Sequence, residues 1–195
     1  MAKKASSGGN ASRKSSAPSV SRTQKTSILK SAFSPSAYQL SLFASVIQAF
    51  DSEHLRIHDF TSGRLQCDHG LGAGTRINSL DWGYYGPDFR GQDEQKPKKK
   101  RKRDQNAHEF VTANAKNAVV ALATSSSDVQ MFSPAGGRVV GTLSGVHERD
   151  VHDFKFVSGD CLWGWSIGGD GKMAQWDLKS NKAVRSAAFH QAIIS

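Results

Sequence analysis

The chain has 195 residues, with 26 Lys and Arg against 17 Asp and Glu, a formal net charge of +9. No apolar run approaches the 18 residues of a membrane span, and the start, MAKKASSGGNASRKSS, lacks the apolar core of a secretory signal. Two cysteines, Cys67 and Cys161, have neither metal-ligand spacing nor a paired framework, so reduced intracellular thiols are expected and no cofactor or metal is.

The charge is unevenly spread. Residues 1–30 carry seven Lys and Arg and no acid, the first acid being Asp51, and residues 96–103 carry seven more. The 12 remaining bases face all 17 acids, so the rest of the chain is near −5. Residues 1–27 are Ser, Lys, Ala and Gly with almost no large apolar side chain, and are expected to be a disordered basic tail.

A first repeat is expected over 28–70. Ala32-Phe33-Ser34-Pro35 ends an inner strand, Leu40 to Gln48 is the second, and Asp51-Ser52-Glu53 is its turn. Leu55-Arg56-Ile57-His58-Asp59 is the third, and Thr61 to Leu65 turns outward. His58 has no second ligand at a useful spacing, which makes it a strand position rather than a metal ligand. His69-Gly70-Leu71-Gly72-Ala73-Gly74-Thr75 resembles a phosphate loop. It lacks the Lys-Ser/Thr ending and leads into an alternating run rather than a helix, so it reads as a loop between repeats.

A second repeat, 71–143, has an inner strand ending near Trp82 and an insertion over 83–108. Strands resume at Ala118 to Thr124 and Val129 to Phe132, with a turn at Ser127-Asp128, and Gly136-Gly137-Arg138-Val139 leads outward. The third repeat, 144–187, is the most complete. His147 opens it, Val151 to Phe156 alternates as the innermost strand, and Asp160 sits in a turn. Leu162 to Ser166 is the second strand, and Gly168-Gly169-Asp170-Gly171 is a tight hairpin in which Gly and Asp suit positive φ. Met173 to Asp177 ends in Trp176-Asp177, and Lys179 to Lys182 turns into a fourth strand. Asp59, Ser133 and Asp177 fall at equivalent places, 74 and 44 residues apart, and the excess of 30 is close to the length of the insertion. Phe132-Ser133 replaces Trp-Asp, so the second repeat is degenerate; residues 188–195 begin a fourth.

Short strands at this spacing, punctuated by Gly and ending in Trp-Asp, resemble WD-repeat propeller blades. The expected fold is therefore all-β: a partial WD-repeat β-propeller of about three blades plus the start of a fourth, with a basic tail and a basic insertion. Because rings close with about 4 to 8 blades, the chain is expected to be part of a longer one. In such blades a His, Ser, Asp and Trp form a buried hydrogen-bond chain, which assigns His147, Ser166, Asp170 and Trp176 as a structural tetrad. A Ser-His-Asp hydrolase triad would need an exposed nucleophile and an oxyanion site. Ser166 lies mid-strand in an apolar run, so no catalytic residue and no enzyme activity is expected.

Lys96, Lys98, Lys99, Lys100, Arg101, Lys102 and Arg103, led by Pro97, form a run that nuclear import receptors read as an extended peptide; RNA phosphates would engage the same cations. The whole pattern is similar to the amino-terminal propeller of a small-subunit processome family, the WD-repeat subunits of the transcription-linked UTP-A subcomplex that include WD-repeat-containing protein 43 and its fungal counterpart. The likeness is carried, in order, by Leu55-Arg56-Ile57-His58-Asp59, Leu122-Ala123-Thr124, Val129-Gln130-Met131-Phe132-Ser133, Leu143-Ser144-Gly145-Val146-His147, Cys161-Leu162-Trp163 and Lys172-Met173-Ala174-Gln175-Trp176. It implies a nuclear, nucleolar scaffold of early small-subunit biogenesis. The implied partners are other processome subunits, the 5′ external spacer of pre-ribosomal RNA and a nuclear import receptor, with no membrane. The remaining blades and the carboxy-terminal helical domain of that family have no counterpart here. The rival expectation is a different nuclear WD-repeat adaptor, a chromatin or ubiquitin-ligase substrate receptor that binds peptides.

Overall fold

The computed structural model describes residues 27–35, 40–49, 51–85, 117–157 and 162–189. These form twelve strands: β1 (Ser27–Phe33), β2 (Leu42–Ala49), β3 (Ser52–Asp59), β4 (Leu65–Gly70), β5 (Ile77–Tyr84), β6 (Ala118–Thr124), β7 (Val129–Ser133), β8 (Arg138–Leu143), β9 (Val151–Phe156), β10 (Trp163–Gly168), β11 (Lys172–Asp177) and β12 (Lys182–Ala188). They pair into three four-stranded antiparallel meanders, β1-β2-β3-β4, β5-β6-β7-β8 and β9-β10-β11-β12. Each expected repeat is one sheet.

The register repeats in all three sheets. The first strand skips a residue opposite the second at Leu29, Asn78 and His152. The third shifts against the fourth immediately before His58, Phe132 and Trp176. These three residues are therefore equivalent, and so are Asp59, Ser133 and Asp177 behind them. Each of the latter closes the following turn: Asp59 accepts from the Thr61 N–H at 2.8 Å, Ser133 from Gly136 at 3.2 Å and Asp177 from Lys179 at 2.9 Å. Serine thus replaces aspartate without loss of the turn's acceptor.

The core lies between the sheets. Leu42, Ala44, Val46, Leu55 and Ile57 of the first meet Leu80, Trp82, Val120, Leu122 and Phe132 of the second. Val119, Ala121, Ala123, Val129 and Met131, on the other side of the second sheet, meet Phe154, Ala174 and Trp176 of the third. The middle sheet is covered on both faces, which is why β6 reads as an unbroken apolar run, Ala118 to Thr124, buried throughout. The inner strands β1, β5 and β9 stand side by side. The exposed amides of β9 are capped by the neighbouring sheet: Phe154 N–H donates to Ser79 Oγ at 3.2 Å and Phe156 N–H to Asp81 Oδ2 at 3.0 Å. Asn78 Nδ2 donates to Val151 O at 2.8 Å. An unpaired strand edge therefore becomes a polar seam.

Several boundaries differ from the sequence reading. Ser27, assigned to the tail, starts β1 opposite Gln48. Glu53, assigned to a turn, is a buried β3 residue whose Oε2 accepts the Ile77 N–H at 2.7 Å, tying the first two sheets together. His69 and Gly70 belong to β4 rather than to the loop, and the His69 ring lies 4.9 Å from that of Phe132. The insertion does not begin at Gly83: β5 continues through Tyr84, because Tyr84 and Tyr85 are buried and Gly83 gives room to the Phe156 ring. In the β10–β11 hairpin only Gly171 has positive φ, +73°; Asp170 does not. The tail up to residue 26, most of the insertion with its basic run, Asp160, Cys161 and the fourth-blade start from 190 lie outside the described residues.

Candidate functional site

In an antiparallel meander alternate connections share one rim. The upper rim carries the 71–76 loop, the 144–150 loop and the β10–β11 turn; the lower carries the ends of β5 and β9 and the β7–β8 and β11–β12 turns.

The third sheet brings His147, Ser166, Asp170 and Trp176 together at the upper rim. Trp176 Nε1–H donates to Ser166 Oγ at 2.7 Å. Ser166 Oγ lies 2.7 Å from His147 Nε2, and His147 Nδ1 lies 3.3 Å from Asp170 Oδ1. One tautomer satisfies every group: Nδ1–H donates to Asp170, and Nε2 accepts the serine proton. Asp170 also accepts the Glu148 N–H and the Lys172 N–H, each at 3.0 Å. Burial works to raise its pKa, but these two amides and His147 overcome it and hold the carboxyl at about 2. The chain of bonds runs from the inter-sheet core to the rim and fixes the 144–150 loop over the hairpin. Gly168 is required beneath it, since a methyl there would run into the His147 ring and the Asp170 carboxylate.

These atoms have the elements of a catalytic triad but not its geometry. Ser166 is fully buried, and its oxygen is already engaged by an indole N–H and an imidazole. No substrate carbonyl reaches it, which fits a structural role. In the other sheets the equivalents of the Ser166 and Trp176 pair are Ser45 with His58 and Leu122 with Phe132. Replacing donor and acceptor together by apolar groups leaves nothing unsatisfied, so the second sheet keeps its packing without the polar chain.

Above the tetrad an open cleft of about 710 Å³ is lined by Glu148, Arg149, His152, the Gly168–Gly171 hairpin and Phe189. Lys172 Nζ bonds Glu148 Oε1 at 2.5 Å, and His152 faces Asp150 at 3.8 Å, so the cleft wall is charged with both signs. Among the described residues no group of three or more His, Cys, Asp or Glu could hold a metal ion, and no helix is long and apolar enough to cross a membrane. His58 lies half-buried on β3 with no such group around it.

At the lower rim the segment that contains the basic run leaves after Tyr85 and returns at Asn117. These ends are joined by the Tyr85 N–H to Asn117 O bond, 3.0 Å. The Tyr85 hydroxyl reaches Asn181 in the β11–β12 turn, and burial pushes its pKa up. Lys96, Lys98, Lys99, Lys100, Arg101, Lys102 and Arg103 themselves lie outside the described residues. Sequence reasoning did not find the bracket made by Tyr85, Asn117 and Asn181. The only signal was two tyrosines just after Trp82, which read as loop.

Three meanders with a shared inner edge, a repeated register and inter-sheet cores settle the architecture. The chain is a partial WD-repeat β-propeller. No protein-family model matches it, and no curated protein does. It is similar in structure to a chain of the Mitotic Checkpoint Complex, a WD40 propeller, with TM-score 0.57 and 17% identity over 86% of this chain and 40% of that one. The computationally designed Ika8 protein gives TM-score 0.52 and 18% identity over 84% of this chain and 37% of that one. The chain thus spans about two-fifths of the solved chains it resembles. The propeller fold typically serves as a scaffold without chemistry of its own.

Proposed function

We propose that this propeller is a non-enzymatic scaffold of early small-subunit ribosome biogenesis, acting in the nucleolus and supporting transcription and processing of pre-ribosomal RNA. The observation that carries the reading is the partition of charge on the fold. Fourteen of 26 basic residues fall in residues 1–30 and 96–103, and the remainder of the chain is net acidic. The second of these segments is inserted between β5 and β6, with its ends joined at Tyr85 and Asn117, on the rim opposite the tetrad. An import receptor and an RNA backbone both engage such cations as a run of point charges. The propeller's rims and outer strands are left for protein partners, here the other WD-repeat subunits of the processome. The ordered sequence likeness to the UTP-A subunit family supports the same reading.

A second reading has one observation in its favour. The mixed-charge cleft of Glu148, Arg149 and His152 suits a charged peptide, as a chromatin or ubiquitin-ligase substrate adaptor would require. Crosslinking and affinity purification of the tagged chain separates the two. Recovery of processome subunits with 5′ spacer RNA is expected; recovery of histones or cullin subunits instead would overturn the ribosomal reading.

A further inference from the structure

Both end faces of the three-blade array are open, and the two inner junctions show what kind of surface each one fits. At each junction a blade turns the apolar side of its second and third strands toward the following blade. That side is Ala44 and Val46 in blade one and Ala121 and Ala123 in blade two, all completely buried. The same register positions in blade three are Trp165 and Ile167, which are 37% and 43% exposed. Two large apolar side chains stand where the fold elsewhere buries its residues against a neighbour.

The opposite half of the junction is open on blade one. Trp82 at the end of β5 and Phe156 at the end of β9 each pack against the preceding blade, Trp82 donating its indole N–H to Ala32 O at 3.2 Å. Their equivalent on β1 is Phe33, which is 64% exposed. Phe33 stacks only on its own blade, 4.7 Å from the Phe43 ring and 5.6 Å from that of Phe60. The polar seam is also half-built at both ends. Asp153 on β9 occupies the position of Ser79, which caps a neighbouring strand amide, and the matching amide on β1 is that of Ser31.

We propose that a second copy of this chain closes the ring, its blade one seated on blade three of the first and its blade three on blade one of the first. Each chain supplies both halves of the contact, and the two contacts are identical. Two sets of three blades give six, within the 4 to 8 that close a propeller. A half-ring repeated about a twofold axis along the channel closes after two copies, whereas an arbitrary head-to-tail contact would grow without limit. The contact would withdraw Trp165, Ile167, Phe33 and Phe43 from water, which is the driving force.

Light scattering coupled to size exclusion on the full chain, at micromolar concentration, reads this directly. The expected mass is that of two chains. A single-chain mass, as further blades in one longer polypeptide would give, overturns the proposal, and so does an assembly larger than two. Trp165→Glu and Phe33→Glu touch different faces, and each should weaken self-association about 100-fold while the far-ultraviolet strand spectrum is retained. Mixing the two variants leaves one of the two contacts wild-type on both sides, so a two-chain species should return. If Trp165→Glu alone abolishes the dimer and Phe33→Glu leaves it intact, the copies pair through like faces and the ring model is wrong.

Discussion

Trp176→Ala tests whether the tetrad holds the third blade to the second. Trp176 is among the largest fully buried side chains and lies in the core that joins these two blades. Truncating it removes the ring's packing and leaves a cavity, which costs about 3 to 5 kcal/mol for an aromatic residue in a core. It also takes the indole N–H from Ser166 Oγ, a bond of 2.7 Å with no water nearby to replace it, for a further 1 kcal/mol or so. In a domain of this size each kcal/mol moves the melting temperature by about 2 to 4 °C, so the expected drop is roughly 8 to 20 °C. Trp176→Phe separates the contributions. It keeps most of the ring and loses the donor, as Phe132 does naturally in blade two, and should cost only about 1 to 2 kcal/mol. Thermal and urea unfolding of the full chain, followed by far-ultraviolet circular dichroism, gives both numbers. If Trp176→Ala melts with the parent chain, the ring is not part of the junction core. If Trp176→Phe costs as much as Trp176→Ala, the hydrogen bond outweighs the packing and the partition above is wrong.

The Asp170 carboxyl is depressed to about 2 in the folded state, so its contribution to stability is fully present above pH 4 and is lost as pH falls toward 2. Asp170→Asn should flatten the acid limb of a stability-versus-pH curve in that window, and an unchanged limb would mean other carboxyls set it. Glu53→Ala should leave the buried Ile77 N–H without an acceptor and cost about 1 to 3 kcal/mol, measured by urea unfolding. Replacing Lys98 to Arg103 by alanine should abolish nuclear accumulation of a fluorescent fusion while leaving the melt unchanged; unaltered localisation would move the import signal elsewhere, for instance to the basic tail. Deleting residues 1–30 together with 96–103 should reduce both RNA affinity and its salt slope, by about 0.7 log units per log unit of salt for each lost contact on single strands. Equal slopes with and without these segments would place the RNA contact on the blades.

What the sequence carries by itself is the local, repeating part of the fold. Alternation in Val151-His152-Asp153-Phe154, glycine at 168, 169 and 171, and the fixed offsets from His147 through Ser166 and Asp170 to Trp176 are short-range constraints, and the blade built on them forms where they indicate. Spacing also located the degenerate Phe132-Ser133, because the hairpin geometry repeats even where its side chains do not. The basic run too is a property of composition. Contacts between blades were not legible, since they join residues dozens of positions apart with no shared period. Glu53 looked like a turn residue because acids cluster in turns; only the approach of β5 supplied the Ile77 amide that makes its burial tolerable. Gly83 and the two tyrosines after it looked like the start of a polar insertion. The Phe156 ring and the Asn181 turn, both from the next blade, make them the end of a strand. The sequence could likewise mark Phe33 and Trp165 as strand residues, but not that they remain open. Exposure is decided by how many blades stand beside them, and that is a property of the ring and not of any strand.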